Sequence, residues 1–231
     1  MSYGWKTELR RRRTKVRDAV DFLRERNSPI RSEQFSYRGT PYSYFVHRHN
    51  HTWRNERIVE VPVFLALLDS TPASQTLEVG NVLSHYRSWN HDVVDMYEVS
   101  AKRKIIREDV LDYDPDRTYD LIVSISTIEH VGWDDKVKRP ERVLEVPAKL
   151  RQLVSAEGRA VISVPFGYNP VLDDALRDND FEADRVDYLH RTSAENHWAE
   201  TDKDTATGCQ YGTPYSSANA IAICTYNGAG R

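Results

Sequence analysis

The sequence predicts an α/β protein: a doubly wound, mostly parallel β-sheet with helices on both faces and a helical extension at the N-terminus. Three observations carry this. From Thr76 onward, short apolar runs alternate with helical patterns, which implies right-handed crossovers between parallel strands. The run "YDLIVSIST" holds a nearly all-apolar strand, Asp120–Ser126, as expected where both faces of a parallel sheet are covered. Before Thr76 the periodicity is helical instead. At 231 residues the chain fits a single structural domain. Within it we separate residues 1–70, a helical cap segment, from residues 71–231, the Rossmann-like part.

The elements follow in order. Leu9, Val16, Val20 and Leu23 share one face of a helix predicted over Trp5–Arg26, ended by Asn27-Ser28-Pro29. Its other face is basic, from Lys6 to Arg17, and reads as a solvated surface or as a segment that meets an anion. "SYRGTPYSYFVHRHNHTWRNER" is aromatic-rich and broken by Gly39 and Pro41, so it is read as a structured loop with short helical pieces. "NERIVEVPVFLALLDS" is helical, with Pro62 expected to kink it or mark its start. Strands are predicted at Thr76–Val79, Asp92–Asp95, Asp120–Ser126 and Ala160–Val164. A helix in "RPERVLEVPAKLRQLV" precedes the last of these. "RVDYLHRTS" and "ANAIAICTY" close the chain as two strands, expected to form an antiparallel hairpin at the sheet edge.

Composition narrows the function. The net charge is −3, which argues against nucleic acid as a partner. No apolar run approaches membrane-spanning length and no apolar signal segment is seen, so a cytoplasmic protein is expected. Cys209 and Cys224 form no CxxC or Cys/His cluster. The histidines of "HRHNH" lack a carboxylate or cysteine cluster beside them, so no metal is expected.

The order of the pieces from Thr76 to Pro165, with the closing strands to Tyr226, resembles the class I S-adenosylmethionine (SAM)-dependent methyltransferases. "LEVGNVLSHY" supplies the acid at the end of the first strand, Glu78, and the first glycine of the following turn, Gly80. Val82 and Ser84 stand where the family has further glycines. "VVDMYE" offers Asp95 as the acid ending the second strand, with Glu98 as substitute, and "REDVLDY" offers Asp109 after a third. "YDLIVS" resembles the fourth strand, and "LVSAEGRAVISVP" the turn and fifth strand. The resemblance implies a seven-stranded sheet and SAM as cofactor, held by Glu78, Gly80, Asn81, Asp95, Asp109 and Ser126. These positions fall at the carboxyl ends of the strands, where open α/β sheets bind ligands. SAM carries no phosphate, so a loop with one glycine need not cradle one. Asn81, beside it, tolerates unusual backbone angles.

The reaction read from this is methyl transfer to the oxygen or nitrogen of a small molecule, with a secondary metabolite or a sugar as examples. Two alternatives stay open: an inactive methyltransferase-like binding or assembly module, and an enzyme using SAM for other chemistry. His130 follows the fourth strand, where the resemblance puts the methyl group, and is the candidate base, with Glu129 to orient it. Candidate substrate residues are Tyr42, Tyr44, Trp53, Arg54 and Arg57 in the segment before the first strand, which in this family folds over the SAM pocket, and Tyr168 and Asn169 after the fifth strand. "SIST" occupies the position where base-methylating enzymes carry an "NPPY"-type motif, a second argument against nucleic acid. The oligomeric state is not legible.

Overall fold

The computed structural model describes residues 22–23, 27–100 and 104–230. The predicted Trp5–Arg26 helix lies outside them except for Phe22 and Leu23, which are helical. The aromatic segment read as a loop contains a hairpin, β1 (Gln34–Tyr37) and β2 (Thr40–Ser43). Arg38 and Gly39 form its two-residue turn, both at positive φ (53° and 71°), the geometry that matches the twist of flanking strands. Helix α1 (Arg57–Asp69) continues through Pro62, neither ending nor starting there. Proline has no N–H to give the Ile58 carbonyl, which instead accepts from the Phe45 N–H at 3.0 Å. The carbonyl that Pro62 leaves free thus ties the N-terminal segment to the helix.

A seven-stranded sheet follows: β3 (Thr76–Val79), β4 (Asp92–Val94), β5 (Tyr119–Ile125), β6 (Val154–Pro165), β7 (Arg185–Arg191), β8 (Trp198–Thr201) and β9 (Ala220–Asn227). The spatial order is β4-β3-β5-β6-β9-β7-β8. The pairs β4/β3, β3/β5 and β5/β6 are parallel, while β6/β9, β9/β7 and β7/β8 are antiparallel. Only β9 and β8 therefore run against the rest. The seventh strand is not the one expected before Asp109. Among the described residues that region contributes one parallel bridge, Val94 to Ile106, and β8 at the other edge completes the count. The closing hairpin is β7–β8, and β9 inserts between β6 and β7 rather than adding at the edge. The helix expected before β6 begins as a 3-10 segment, Pro140–Glu145, then becomes α2 (Val146–Leu153) with Pro147 in its first turn, where a missing N–H costs nothing.

Two apolar clusters hold the sheet. Ile122 of β5 points into one, while Leu121, Val123 and Ile125 point into the other, the alternation of a strand. The first includes Leu150 and Leu153 of α2, Leu172 and Leu176 of α3 (Pro170–Asp178) and Ala206 of α4 (Lys203–Thr207). The second takes Ile58, Val59, Phe64 and Leu68 of α1 with Phe35, Tyr37 and Tyr44. Each such fully buried large side chain contributes about 1.5–3 kcal/mol. Helix α1 has no broad polar face: Arg57 and Glu60 at its start are buried, and only Asp69 at its end is a charged residue in the open.

Candidate active site

A cavity of about 470 Å³ opens at the carboxyl ends of β3, β4 and β5. Here β4 lies on one side of β3 and β5 on the other, the switch point at which open α/β sheets bind ligands. Gly80, Asp95, Asp109, Ser126 and His130 line it, as the sequence suggested. Six carboxylates face it: Asp95, Glu98, Glu108, Asp109, Asp134 and Asp135. No lysine or arginine does so among the described residues.

The turn after β3 is organised by two acids. Glu78 is buried, and its Oε1 accepts the N–H groups of Val82 (2.8 Å) and Leu83 (2.6 Å), while Oε2 meets His91 Nε2 at 2.6 Å. Glu78 thus shapes the loop and does not line the cavity. Asp95 reaches across from the end of β4 to the N–H of Asn81 (2.9 Å), and its other oxygen accepts from Tyr97 (2.9 Å) and Glu98 (2.8 Å). A carboxylate has roughly four acceptor sites, so one remains for a ligand. The buried Asn81 side chain accepts from Ser84. Gly80 has φ 81°, and a side chain there would overlap Thr127. The turn thus needs glycine at this position alone.

Ser126, just past β5, is held at φ 34°, a strained conformation for serine. The start of α1 fixes it. Ser126 Oγ donates to Glu60 Oε1 (2.7 Å), and Arg57 Nη2 donates to the Ser126 carbonyl (3.3 Å). Arg57 Nη1 pairs with Glu60 Oε2 at 2.5 Å. Burial alone would lower the Arg57 pKa, but Glu60 and Glu56 outweigh it and raise it. Glu56, which accepts the Ala218 N–H at 3.1 Å, is pushed up by burial and by Glu60. Tyr86 is pushed up to about 12 by burial.

His130 does not use its sequence neighbour as expected. Its Nδ1 meets Asp134 Oδ2 at 2.6 Å, whereas Nε2 is 3.7 Å from Glu129 Oε1, beyond hydrogen-bond range. Tyr168 donates to the same Asp134 oxygen at 3.0 Å and packs edge-on against the His130 ring. Burial and the bond to Asp134 raise the Tyr168 pKa. Asp134 was missed in the sequence, although its i,i+4 offset from His130 in "HVGWD" was a usable signal. Asn169 is buried; it caps α3 through the Val171 N–H (3.1 Å) and donates to the Glu129 carbonyl (3.1 Å). Asp109 is paired with Arg142 at 2.9 Å.

The other N-terminal candidates lie elsewhere. Tyr44 is buried, its hydroxyl exchanging bonds with the Trp198 backbone. Tyr42 packs on Phe35, and Trp53 on Phe22 and His51. Arg54 is exposed beside Trp53. The "HRHNH" run packs on the loop after Gly80 instead: His49 stacks on His85 with ring centres 4.2 Å apart, and His47 meets Tyr86 edge-on. Among the described residues no group of three or more metal-ligating side chains is arranged to hold an ion.

No protein-family model matches the chain, and no curated protein matches it. Among solved structures the chain is similar to a TehB-like SAM-dependent methyltransferase from Corynebacterium glutamicum, at 17% identity over 71% of this chain and 85% of that one, with a TM-score of 0.42. It is similar to a SAM-dependent methyltransferase from Archaeoglobus fulgidus at 13% identity, over 77% of this chain and 97% of that one, with a TM-score of 0.47. The N-methyltransferase NodS from Bradyrhizobium japonicum is similar at 12% identity, over 72% and 92% of the two chains, with a TM-score of 0.40.

Proposed function

We propose that this protein is a SAM-dependent methyltransferase acting on the oxygen or nitrogen of a small molecule. The observation that carries the reading is the charge of the crevice. Its place at the switch point fits any nucleoside-containing cofactor. Six carboxylates line it, and although Arg142 behind the lining pairs with Asp109 and approaches Asp135, the remaining negative charge disfavours a pyrophosphate or triphosphate and favours a cation. SAM is the nucleoside cofactor that meets both conditions, with a sulfonium in place of phosphates. The residues fit it: Gly80 permits close backbone approach, and Asp95 keeps one acceptor site for a ribose hydroxyl.

When bound, SAM supplies an activated methyl group on a good leaving group. The chain's own task is to place the acceptor in line and remove its proton. His130 is the base in this reading. Its Nδ1 bond to Asp134 directs the ring's acceptor capacity to Nε2, and Tyr168 holds Asp134 in place. Asp134 acts through His130 and is a positioning residue. In this reading the segment before β3 is the cap; its described part includes α1, which braces Ser126 from one sheet face, while α2–α4 pack the other. Arg57 serves this reading by bracing Ser126 and Asn169 by holding the Glu129 carbonyl, whereas Tyr42, Tyr44 and Trp53 pack around the hairpin and α1 and take no part in the cavity. The acidic crevice supports a small-molecule substrate over nucleic acid.

Titration calorimetry with S-adenosylhomocysteine (SAH), the product of transfer, tests the reading against NAD and ATP. SAH should bind at micromolar concentration, with neither phosphate-bearing ligand detected. Binding of NAD or ATP with no SAH binding would overturn it.

A further inference from the structure

We propose that the histidines of "HRHNH" form an acid-released clasp: His47 and His49 fasten the segment before α1 onto the cofactor loop when neutral and release it when protonated. The clasp regulates the cofactor site and so rests on the methyltransferase reading.

On the segment's side, Thr52 Oγ1 donates to the Phe45 carbonyl (2.6 Å) and accepts the His47 N–H (2.7 Å), closing residues 45–52 into a small loop. Within it Asn50 and His51 sit at φ 53° and 46°, two successive left-handed residues without a glycine. Such a backbone persists only where surrounding contacts fix it. Those contacts come from the loop after Gly80. His49 stacks on His85, with ring centres 4.2 Å apart and planes at 14°. Tyr86 meets Phe45, His47 and His49 edge-on at 5.5, 5.3 and 5.4 Å. Behind this stack His85 Nε2 reaches Glu98 Oε1 at 3.2 Å. The Glu98 N–H donates to Asp95 at 2.8 Å, and the other Asp95 oxygen fixes Asn81. A continuous line of contacts therefore runs from His49 to Asp95 and Glu98 in the cavity wall.

This geometry requires neutral rings on the segment's side. The His49 N–H donates to His47 Nδ1 at 3.1 Å. That nitrogen accepts only in the neutral ring, because an imidazolium carries a proton on both nitrogens. Two stacked imidazolium rings repel, and His85 has Glu98 beside it as a counter-ion, so His49 is the ring that must stay uncharged. Burial, then Arg48, holds His47 below the usual histidine range. Burial, then His85 and His47, holds His49 below it; Glu98 opposes this and Arg57 of α1 adds to it. Tyr86, facing Arg57, Glu60 and Glu56, is pushed up to about 12 by burial and stays neutral throughout. A histidine whose pKa is depressed in the docked state favours docking while neutral. Its contribution is complete above the undocked value, about 6.5, and is lost as pH falls below it. Acid therefore opens the clasp and slackens the loop that holds the cofactor.

Two measurements on the full chain test this. Hydrogen exchange read by mass spectrometry follows docking without ligand, with rates corrected for the intrinsic effect of pH. Protection of residues 45–52 should fall by about fivefold or more between pH 7.5 and pH 5.5. SAH affinity, measured by calorimetry at the same two pH values, should also fall by about fivefold or more. His49→Phe keeps a ring to stack but has no proton to gain, and circular dichroism confirms its fold. It should retain at most about twofold of each change, the part that His47 supplies. His130 and SAH itself titrate alike in both chains, so the difference between them isolates the clasp. Protection of residues 45–52 that is the same at both pH values, or that is lost equally in His49→Phe, overturns the proposal. Loss of protection with SAH affinity unchanged overturns the control of the cofactor site. A wild-type chain that binds no SAH at either pH overturns instead the methyltransferase reading beneath it, and the exchange result still decides whether the clasp opens.

Discussion

The Arg57 guanidinium donates to the Ser126 carbonyl at 3.3 Å, joining the first turn of α1 to the end of β5 across 69 residues of sequence. Glu60 completes the bracket by accepting from both partners. A strained serine is thereby held at the floor of the cavity by a buried ion pair. Removing one partner of such a pair strands the other's charge. Glu60→Ala should therefore destabilise the fold by about 3–5 kcal/mol, and Glu60→Gln by less. Denaturant unfolding measures it; an unchanged midpoint would mean that Arg57 finds another partner.

The second prediction concerns Asp95. Asp95→Ala should weaken SAH binding by about 1.5–3 kcal/mol, the scale for a hydrogen bond to a charged group. Asp95 also fastens Asn81, Tyr97 and Glu98, so part of that loss is disorder of the turn. Asp95→Asn keeps an acceptor oxygen and should fall between. Calorimetric affinities equal to wild type in both variants would move the ribose contact elsewhere, with Glu98 next.

For the base, His130→Ala should lower turnover about 10²–10⁴-fold with little change in SAH affinity. Asp134→Asn should lower turnover too while leaving SAH affinity intact, because the ring's orientation and tautomer depend on that carboxylate. If either variant instead binds SAH poorly and turns over normally when saturated, the residues pack and do not act on protons.

Asp173 gives a prediction about pH and stability. It accepts the Gly167 N–H at 2.9 Å, and burial pushes its pKa up to about 6. A carboxyl whose folded value is raised contributes its stability below its unfolded value, and that contribution is lost as pH rises through about 6. Asp173→Asn should therefore gain on wild type by about 1–2 kcal/mol between pH 5 and 7.5, after allowance for partial solvation. Melting temperatures across that range should diverge; parallel curves would refute it.

Gly80→Ala is the fourth substitution of interest at the cavity. It meets both a positive φ and the Thr127 side chain. A cost of about 1–3 kcal/mol in stability is expected, together with weaker SAH binding. Adding Thr127→Ala should recover part of it, since it removes the two nearest clashing atoms, Oγ1 and Cγ2, and leaves the φ strain. Full recovery would locate the whole effect in the clash.

Much of the fold was legible because parallel strands announce themselves. The runs at Thr76, Asp120 and Ala160 are apolar enough to be buried on both faces, and the structure places strands there. The turn chemistry around Gly80 was equally local. What escaped depends on partners distant in sequence. The β1–β2 hairpin was hidden by Pro41, which sits harmlessly in a two-stranded ribbon. Pro62 was expected to kink the helix or mark its start because its compensation, the Phe45 N–H, lies seventeen residues away. The site divides the same way. Gly80, Asp95, Asp109, Ser126 and His130 converge because strand ends converge. Tyr42, Tyr44 and Trp53 carry the aromatic character of a pocket wall, yet they build the packing between hairpin, α1 and β8. Glu78 was legible as an acid before a glycine, but only the folded loop shows its oxygens turned toward backbone N–H groups.

The position of β9 has a consequence for synthesis. It pairs with β6 on one side and β7 on the other. Both neighbours leave the ribosome earlier, and neither has its inner edge satisfied until residues 220–227 emerge. The nascent chain therefore carries two unpaired edges from the synthesis of β7 until β9 follows, a state prone to wrong pairing. The parallel half, β4-β3-β5-β6, can assemble during elongation, but closing the sheet waits for its last strand. A translation pause placed after Asn227 would cost little, whereas one between Arg191 and Ala220 would prolong the open intermediate and invite aggregation.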